Sequence, residues 1–353
     1  MKRLLVFLTL AAFAVAPRAA AQGAQPVSAC GALLPHAPVL VGMTDTAAYF
    51  PKLKGLRVAV LAQPDWHDAE AFRAMGRPRL GVFIGAGNLD SMVAHYTAAK
   101  RRRSEDFYSP GKRTGCRPDR AAIVYCNRAR EAFGPDVPII LGSLEASLRR
   151  FAHYDYWDDS VRRAILFDAP ADLLVYGMGE AATIEIAHRL KKKQSVRTMT
   201  DIPGTGYITR DPSVCKFDHI TLPSFEDVRD DKRLYAEATR TEYAEHDPIR
   251  GKTLAQAHGD KFLVVYPPAM PLKTEELDAV AALPYTREPH PMYDPLGGVP
   301  AIEEVRFSVI HNRGCFGGCN FCALAFHQGR MITSRSHASV IREVEAMTHH
   351  PLW

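Results

Sequence analysis

The sequence predicts an α/β protein built on a parallel sheet covered on both faces, with one further strand–helix unit near the C-terminal end. Three observations carry this prediction. Past residue 55, short apolar runs alternate with stretches of helical character; the runs are apolar along their whole length; and glycine pairs stand where runs end.

The elements follow in order. Arg57–Ala62 reads as the first strand, with a helix from about Asp68 to Met75 after it. Leu80–Ile84 is the second strand, followed by a longer helix from about Leu89 to Arg102. Ala122–Tyr125 and Pro138–Leu141 supply the third and fourth strands, and Leu173–Tyr176 the fifth. That last run leads through Gly177-Met178-Gly179 into a helix from Glu180 to Leu190. Such sheets bind ligands beyond the carboxyl ends of their strands, where Gly85/Gly87 and Gly177/Gly179 fall. Tight turns alone would also call for these glycines.

From Asp201 to about Pro300 the pattern loosens. A polar helix is expected over Phe225–Glu245 with Ser224 as its N-cap. A proline-rich stretch follows and reads as a connector, because apolar and aromatic residues are interleaved with it. Val305–Ile310 then reads as a strand. The loop His311-Asn312-Arg313-Gly314 leads to Cys315, a short strand is expected at Met331-Ile332, and Ser336 or Ser339 opens a helix through Met347. The division expected is a signal-peptide-like segment at residues 1–22, a first domain at 23–200, a connector at 201–300 and a second domain beginning at 301–353.

Length and composition suit a globular protein of about two domains. The net charge of +5 over 353 residues would tolerate a polyanionic partner without requiring one. Basic clusters at Lys100–Arg103 and Lys191–Lys193 each follow a helical stretch. They read as solvated helix ends rather than nucleic-acid contacts. At the front, Lys2 and Arg3 precede an apolar run from Leu4 to Ala16, and Ala19-Ala20-Ala21 resembles a cleavage pattern. The run is too short for an ordinary transmembrane helix. Export fits poorly with the chemistry read below, which favours the cytoplasm.

The seven cysteines do not form a secreted disulfide pattern. Cys30, Cys116, Cys126 and Cys215 stand alone, and Cys126 reads as a buried small residue. The other three gather as Cys315-x3-Cys319-x2-Cys322. Thiolates select iron–sulfur clusters, zinc or copper(I). A [4Fe–4S] cube ordinarily takes four cysteines, so three on one loop leave one iron open, as reductive cleavage of S-adenosylmethionine requires. Gly317 and Gly318 let the loop curl closely, and an aromatic, Phe321, precedes the third cysteine. The zinc alternative would recruit His327 to a Cys3His site. A cluster that only carries electrons would need a fourth ligand, for which His327 and Cys215 are the candidates. In a third reading the front sheet binds a nucleotide, corrinoid or nucleic acid and the cluster is structural. Asp65-x-His67 begins like a cobalamin-binding motif, but Glu70 stands where that motif has glycine, so His67 reads as a surface residue.

Longer strings then resemble a known family. Ala86–Thr97, Glu145–Phe151 with the following His153–Trp157, Ala171–Glu180 and the cysteine loop are similar to the YgiQ family of radical SAM proteins, a resemblance running from about Arg57 to the end. It implies a Rossmann-like domain followed by the start of a radical SAM (β/α) partial barrel. It also implies that Cys315, Cys319 and Cys322 ligate a [4Fe–4S] cluster, that the Phe321 backbone lies near the adenine of S-adenosylmethionine, and that a flavodoxin or ferredoxin donates the electron. The substrate and catalytic residues are not implied. The family continues past the point where this chain stops, so the expectation is a fragment lacking a complete active site.

Overall fold

The computed structural model describes residues 3–8 and 56–353, apart from Asn88, Lys216 and Asn320. In chain order the elements are β1 (Arg3–Leu8), β2 (Leu56–Leu61), α1 (Glu70–Arg73), β3 (Val82–Gly85), α2 (Ser91–His95), α3 (Ala121–Phe133), β4 (Ile139–Gly142) and α4 (Ser143–Leu148). Next come β5 (His153–Asp155), β6 (Ser160–Arg162), α5 (Ile165–Asp168), β7 (Leu173–Val175), α6 (Glu180–Lys191), β8 (Thr205–Thr209) and β9 (His219–Leu222). They are followed by α7 (Phe225–Asp230), α8 (Lys232–Ala244), β10 (Thr253–His258), β11 (Lys261–Val265) and α9 (Thr274–Ala281). The chain closes with α10 (Ile302–Val305), β12 (Asn312–Arg313), α11 (Leu324–Gln328), β13 (Thr333–Ser334) and α12 (His337–Thr348).

Nine strands form one sheet in the order β2-β1-β3-β4-β7-β8-β11-β10-β9. The half from β2 to β7 is parallel. β8 then pairs antiparallel with β7 and β11, and β10 antiparallel with β11, while β9 returns to parallel pairing. Alternate residues of the apolar strands serve opposite faces. Val82, Ile84, Ile139, Leu141 and Leu174 pack beneath α3 with Tyr125 and Phe133. Phe83, Ile140, Leu173 and Val175 pack beneath α6 with Ile186 and Leu190. Both faces are therefore dry, which is why these strands read as unbroken apolar runs.

Several local expectations change. The run at Ala122–Tyr125 is the first turn of α3, not a strand. Its buried positions Ala121, Ala122, Tyr125, Cys126, Ala129 and Phe133 recur at helical spacing once the window passes Cys126. The long helix expected to Arg102 stops after His95. Asp90 caps it, Tyr96 turns extended, and the chain folds back so that Tyr96 bridges Arg102 around a left-handed Lys100. Lys100–Arg103 thus lies on a tight hairpin rather than a helix end, whereas Lys191 does close α6.

The stretch read as a connector carries β8, β9, β10 and β11 of the main sheet. The helix expected over Phe225–Glu245 breaks at Asp231, whose extended backbone ends α7 and whose carboxylate caps α8. Ser224 does cap α7, through a capping box with Asp227. Val305–Ile310 is not a strand: α10 ends at Val305, and Ile310 is 66% exposed. The short pairing there is instead β12 with β13. Cys116, read as solitary, is disulfide-bonded.

Apart from β1, the signal-like segment lies outside the described residues. Among the described residues no helix is long and apolar enough to cross a membrane.

Candidate functional site

The carboxyl ends of β4 and β7 carry the residues that receive the cysteine segment. Gly85 and Gly142 lie in register at the ends of β3 and β4, and Ser143 then turns the chain into α4 with a left-handed backbone. Its hydroxyl accepts a hydrogen bond from the Ala86 amide at 3.1 Å. After β7, the Gly177 amide donates to the Ser147 hydroxyl at 2.9 Å, joining the two strand ends. Gly177 has φ +70°, and a side chain there would meet the His327 carbonyl at 3.1 Å. The backbone of α11, which follows the cysteines, thus lies against the end of β7.

The cysteine loop is closed at its base. The Cys315 amide donates to the Gly329 carbonyl at 3.1 Å, and the Gly314 amide to the Gln328 side chain at 3.1 Å. Arg313 forms an ion pair with Glu180 of α6 at 2.5 Å. Within the loop, a Cβ built on Gly317 would lie 3.3 Å from the Cys315 sulfur and 3.7 Å from the Cys319 sulfur. These two thiols therefore turn towards the same side, into space a larger residue would occupy. The Gly317 amide donates to the Cys315 sulfur at 3.4 Å, and the Cys322 amide to the Cys319 carbonyl at 3.3 Å. Cys319 and Cys322 are exposed, and the Phe321 side chain between them is 93% exposed.

This arrangement bears on which group the thiols suit. Among the described residues, no three His, Cys, Asp or Glu side chains gather tightly enough to hold a single metal ion. Cys215 lies elsewhere, its sulfur 3.8 Å from the Tyr266 hydroxyl. Burial and the neighbouring Arg150 lower the pKa of His327, and its Nδ1 is buried without a hydrogen-bond partner. His67 is exposed and pairs with Asp65 at 2.6 Å, the surface arrangement expected of it.

Behind the loop lies a buried cluster that no spacing in the sequence reveals. The Arg150 guanidinium sits 3.7 Å from the Phe326 ring centroid and 4.6 Å from that of Tyr176. It donates to the Ser147 carbonyl at 2.6 Å and lies 3.4 Å from His246 Nδ1. Burial pushes the nearby Glu242 carboxyl up to about 8. His246 is pushed down to about 3, first by burial and then by Arg150. Arg330, just past α11, lies 3.5 Å over the Tyr243 ring and donates to the Tyr243 carbonyl at 2.9 Å.

Comparison with known proteins adds the following. The family model described as Radical SAM N-terminal matches residues 47–308. A UPF0313 protein of Clostridium botulinum (strain 657 / Type Ba4) is 53% identical over 296 residues, covering 84% of this chain and 46% of the relative. A UPF0313 protein of Clostridium perfringens (strain SM101 / Type A) is 52% identical over 296 residues, covering 84% of this chain and 45% of that protein. The chain thus spans less than half the length of these curated relatives. Among solved structures, the radical S-adenosylmethionine methyltransferase TsrM from Kitasatospora setae, with cobalamin and [4Fe-4S] cluster bound, aligns with 98% of this chain and 47% of its own at a TM-score of 0.44 and 17% identity.

Proposed function

This chain belongs to the UPF0313 (YgiQ) family and carries its Radical SAM N-terminal domain, and from that premise we propose that Cys315, Cys319 and Cys322 hold a [4Fe–4S] cluster serving S-adenosylmethionine chemistry. The observation that carries the reading is the loop itself: three soft donors, two of them curled around the empty side of Gly317. Three thiolates leave one iron of a cubane for the amino and carboxylate groups of S-adenosylmethionine. When bound, the pair supplies reductive cleavage to a 5′-deoxyadenosyl radical, with the electron from a donor such as a flavodoxin or ferredoxin.

The chain's own residues place that chemistry. Gly314 and Gln328 close the base of the loop, and Arg313 ties its entry to Glu180. Phe321, by likeness to the family, offers its backbone to the adenine.

The test is anaerobic reconstitution of the full chain with iron and sulfide, followed by EPR of the reduced protein with and without S-adenosylmethionine. A [4Fe–4S] signal that changes on adding S-adenosylmethionine is expected. A cluster that ignores it would replace this reading with a non-catalytic iron–sulfur protein. Zinc bound in place of iron would overturn the cluster altogether.

A further inference from the structure

Arg150 is 2% exposed, and the carboxyl that acts on it, buried Glu242, is not in ion-pair contact and is raised by burial to about 8, so it offers little negative charge at neutral pH. A buried cation without a counter-ion costs several kcal/mol unless other groups replace its hydration. Here the replacement is mostly aromatic. Phe326 and Tyr176 lie within 4.6 Å of the guanidinium and Phe151 at 5.5 Å, with the Ser147 carbonyl and His246 at its edge. Tyr176 follows the end of β7, Ser147 lies in α4 just after β4, and Phe151 stands three residues past that helix. Phe326 alone comes from the cysteine segment, on α11.

That helix is mechanically joined to the loop at both ends. It begins two residues after Cys322, and the Cys315 amide and Gly314 amide are held by Gly329 and Gln328 at its far end. Whatever fixes α11 therefore fixes the first and third cysteines together. Of the other fastenings, Arg313 to Glu180 is a partly exposed ion pair, and Arg330, just past the helix, makes its own cation–π contact with Tyr243, whose ring is 38% exposed and so leaves that contact partly hydrated. A desolvated cation–π contact is the stronger tie.

We infer that Arg150 is a positioning residue for the cysteine loop, acting through Phe326 to latch α11 onto the carboxyl edge of the sheet. The inference deepens the cluster reading and rests on it for its purpose, but the latch itself is tested without iron. The experiment is hydrogen–deuterium exchange on the iron-free full chain, comparing peptides covering residues 323–330 with peptides from β4 and α6. Phe326→Leu keeps apolar bulk but removes the ring face, and should speed exchange in 323–330 by roughly 30-fold, the factor matching a desolvated cation–π contact. Phe326→Tyr, which keeps the ring, should restore wild-type exchange. Arg150→Met should match Phe326→Leu, and the double variant should be no faster than either single one.

Equal exchange in wild type and Phe326→Leu would overturn the latch, as would multiplying effects in the double variant. Should Arg150→Met unfold the sheet, the Leu and Tyr variants at Phe326 still decide the matter. Failure of the iron experiment leaves this result unchanged, so the two readings fail separately.

Discussion

Gly314 shows how little freedom the residue before the first cysteine has. Its φ is +86°, and a Cβ there would lie 2.1 Å from the Met331 carbonyl oxygen. Gly314→Ala should therefore cost roughly 2 kcal/mol or more locally and open the β12–β13 pairing, seen as faster amide exchange at residues 312–334. By contrast, Cys319 and Cys322 are exposed thiols without core contacts. Replacing both with Ala should leave unfolding free energy within about 0.5 kcal/mol of wild type while abolishing iron retention. Glu242 behaves differently from either. Its carboxyl is raised from 4.5 to about 8, so the folded state holds a proton the unfolded chain gives up. The associated stability is full below pH 4.5 and is lost as pH rises towards 8, with a slope of at most about 1.4 kcal/mol per pH unit. Glu242→Gln should flatten that decline in denaturant titrations between pH 5 and 8. The three cysteines were legible at this scale because their spacing is local. Arg150 and Phe326, 3.7 Å apart in space, are distant in sequence and share no pattern.

At the scale of elements, helix α3 lacks an N-cap of its own: Arg120 stands there in a left-handed conformation, with no side-chain cap. Its first amides are served from elsewhere. The Ala121 amide donates to the Ser91 hydroxyl at 3.1 Å, and the Ala122 amide to Glu145 at 3.3 Å. Ser91 in turn donates to Glu145 at 2.9 Å. Glu145→Ala should strand these buried donors and cost about 3 kcal/mol, measured by urea unfolding. The distant cap also explains why α3 was misread: no local start signal precedes Ala121, and a short apolar run cannot distinguish a buried helix from a strand. Strands β3, β4 and β7 were legible because burial on both faces writes itself as unbroken apolar sequence, and edge strand β2 from its run Val58–Leu61. Strands β8 to β10 were not, since polar residues such as Thr205, Gln256 and His258 interrupt them, whereas β11 carries the unbroken apolar run Phe262–Val265 and was missed although its signal was present. Gln256 is buried because its amide reaches across to Ala152 and Pro223.

For the whole molecule, buried His246 and His258 and the half-buried His153 set the acid limit of stability. Burial lowers His153 and His258 to about 4 and His246 to about 3, from an ordinary value of 6.5. Between those values the unfolded chain takes up protons that the folded chain refuses, so stability falls as pH drops from about 6.5 towards 4. Thermal unfolding followed across pH 4 to 7 should show the midpoint dropping steeply on the acid side, and less steeply in His258→Phe, which keeps the ring between Phe167 and Phe225.

The docking of α11 against the ends of β4 and β7 also has a consequence in time. A ribosome releases the chain from its N-terminal end, and folding units generally form in that order. Arg150, Tyr176, Glu180 and the strands that position them all emerge long before Cys315 does. The surface that orders the thiols is thus made first, and the thiols arrive at a seat already built. The interval in which three bare cysteines trail an unfinished fold, open to wrong partners and oxidants, is shortened by the order of the gene itself.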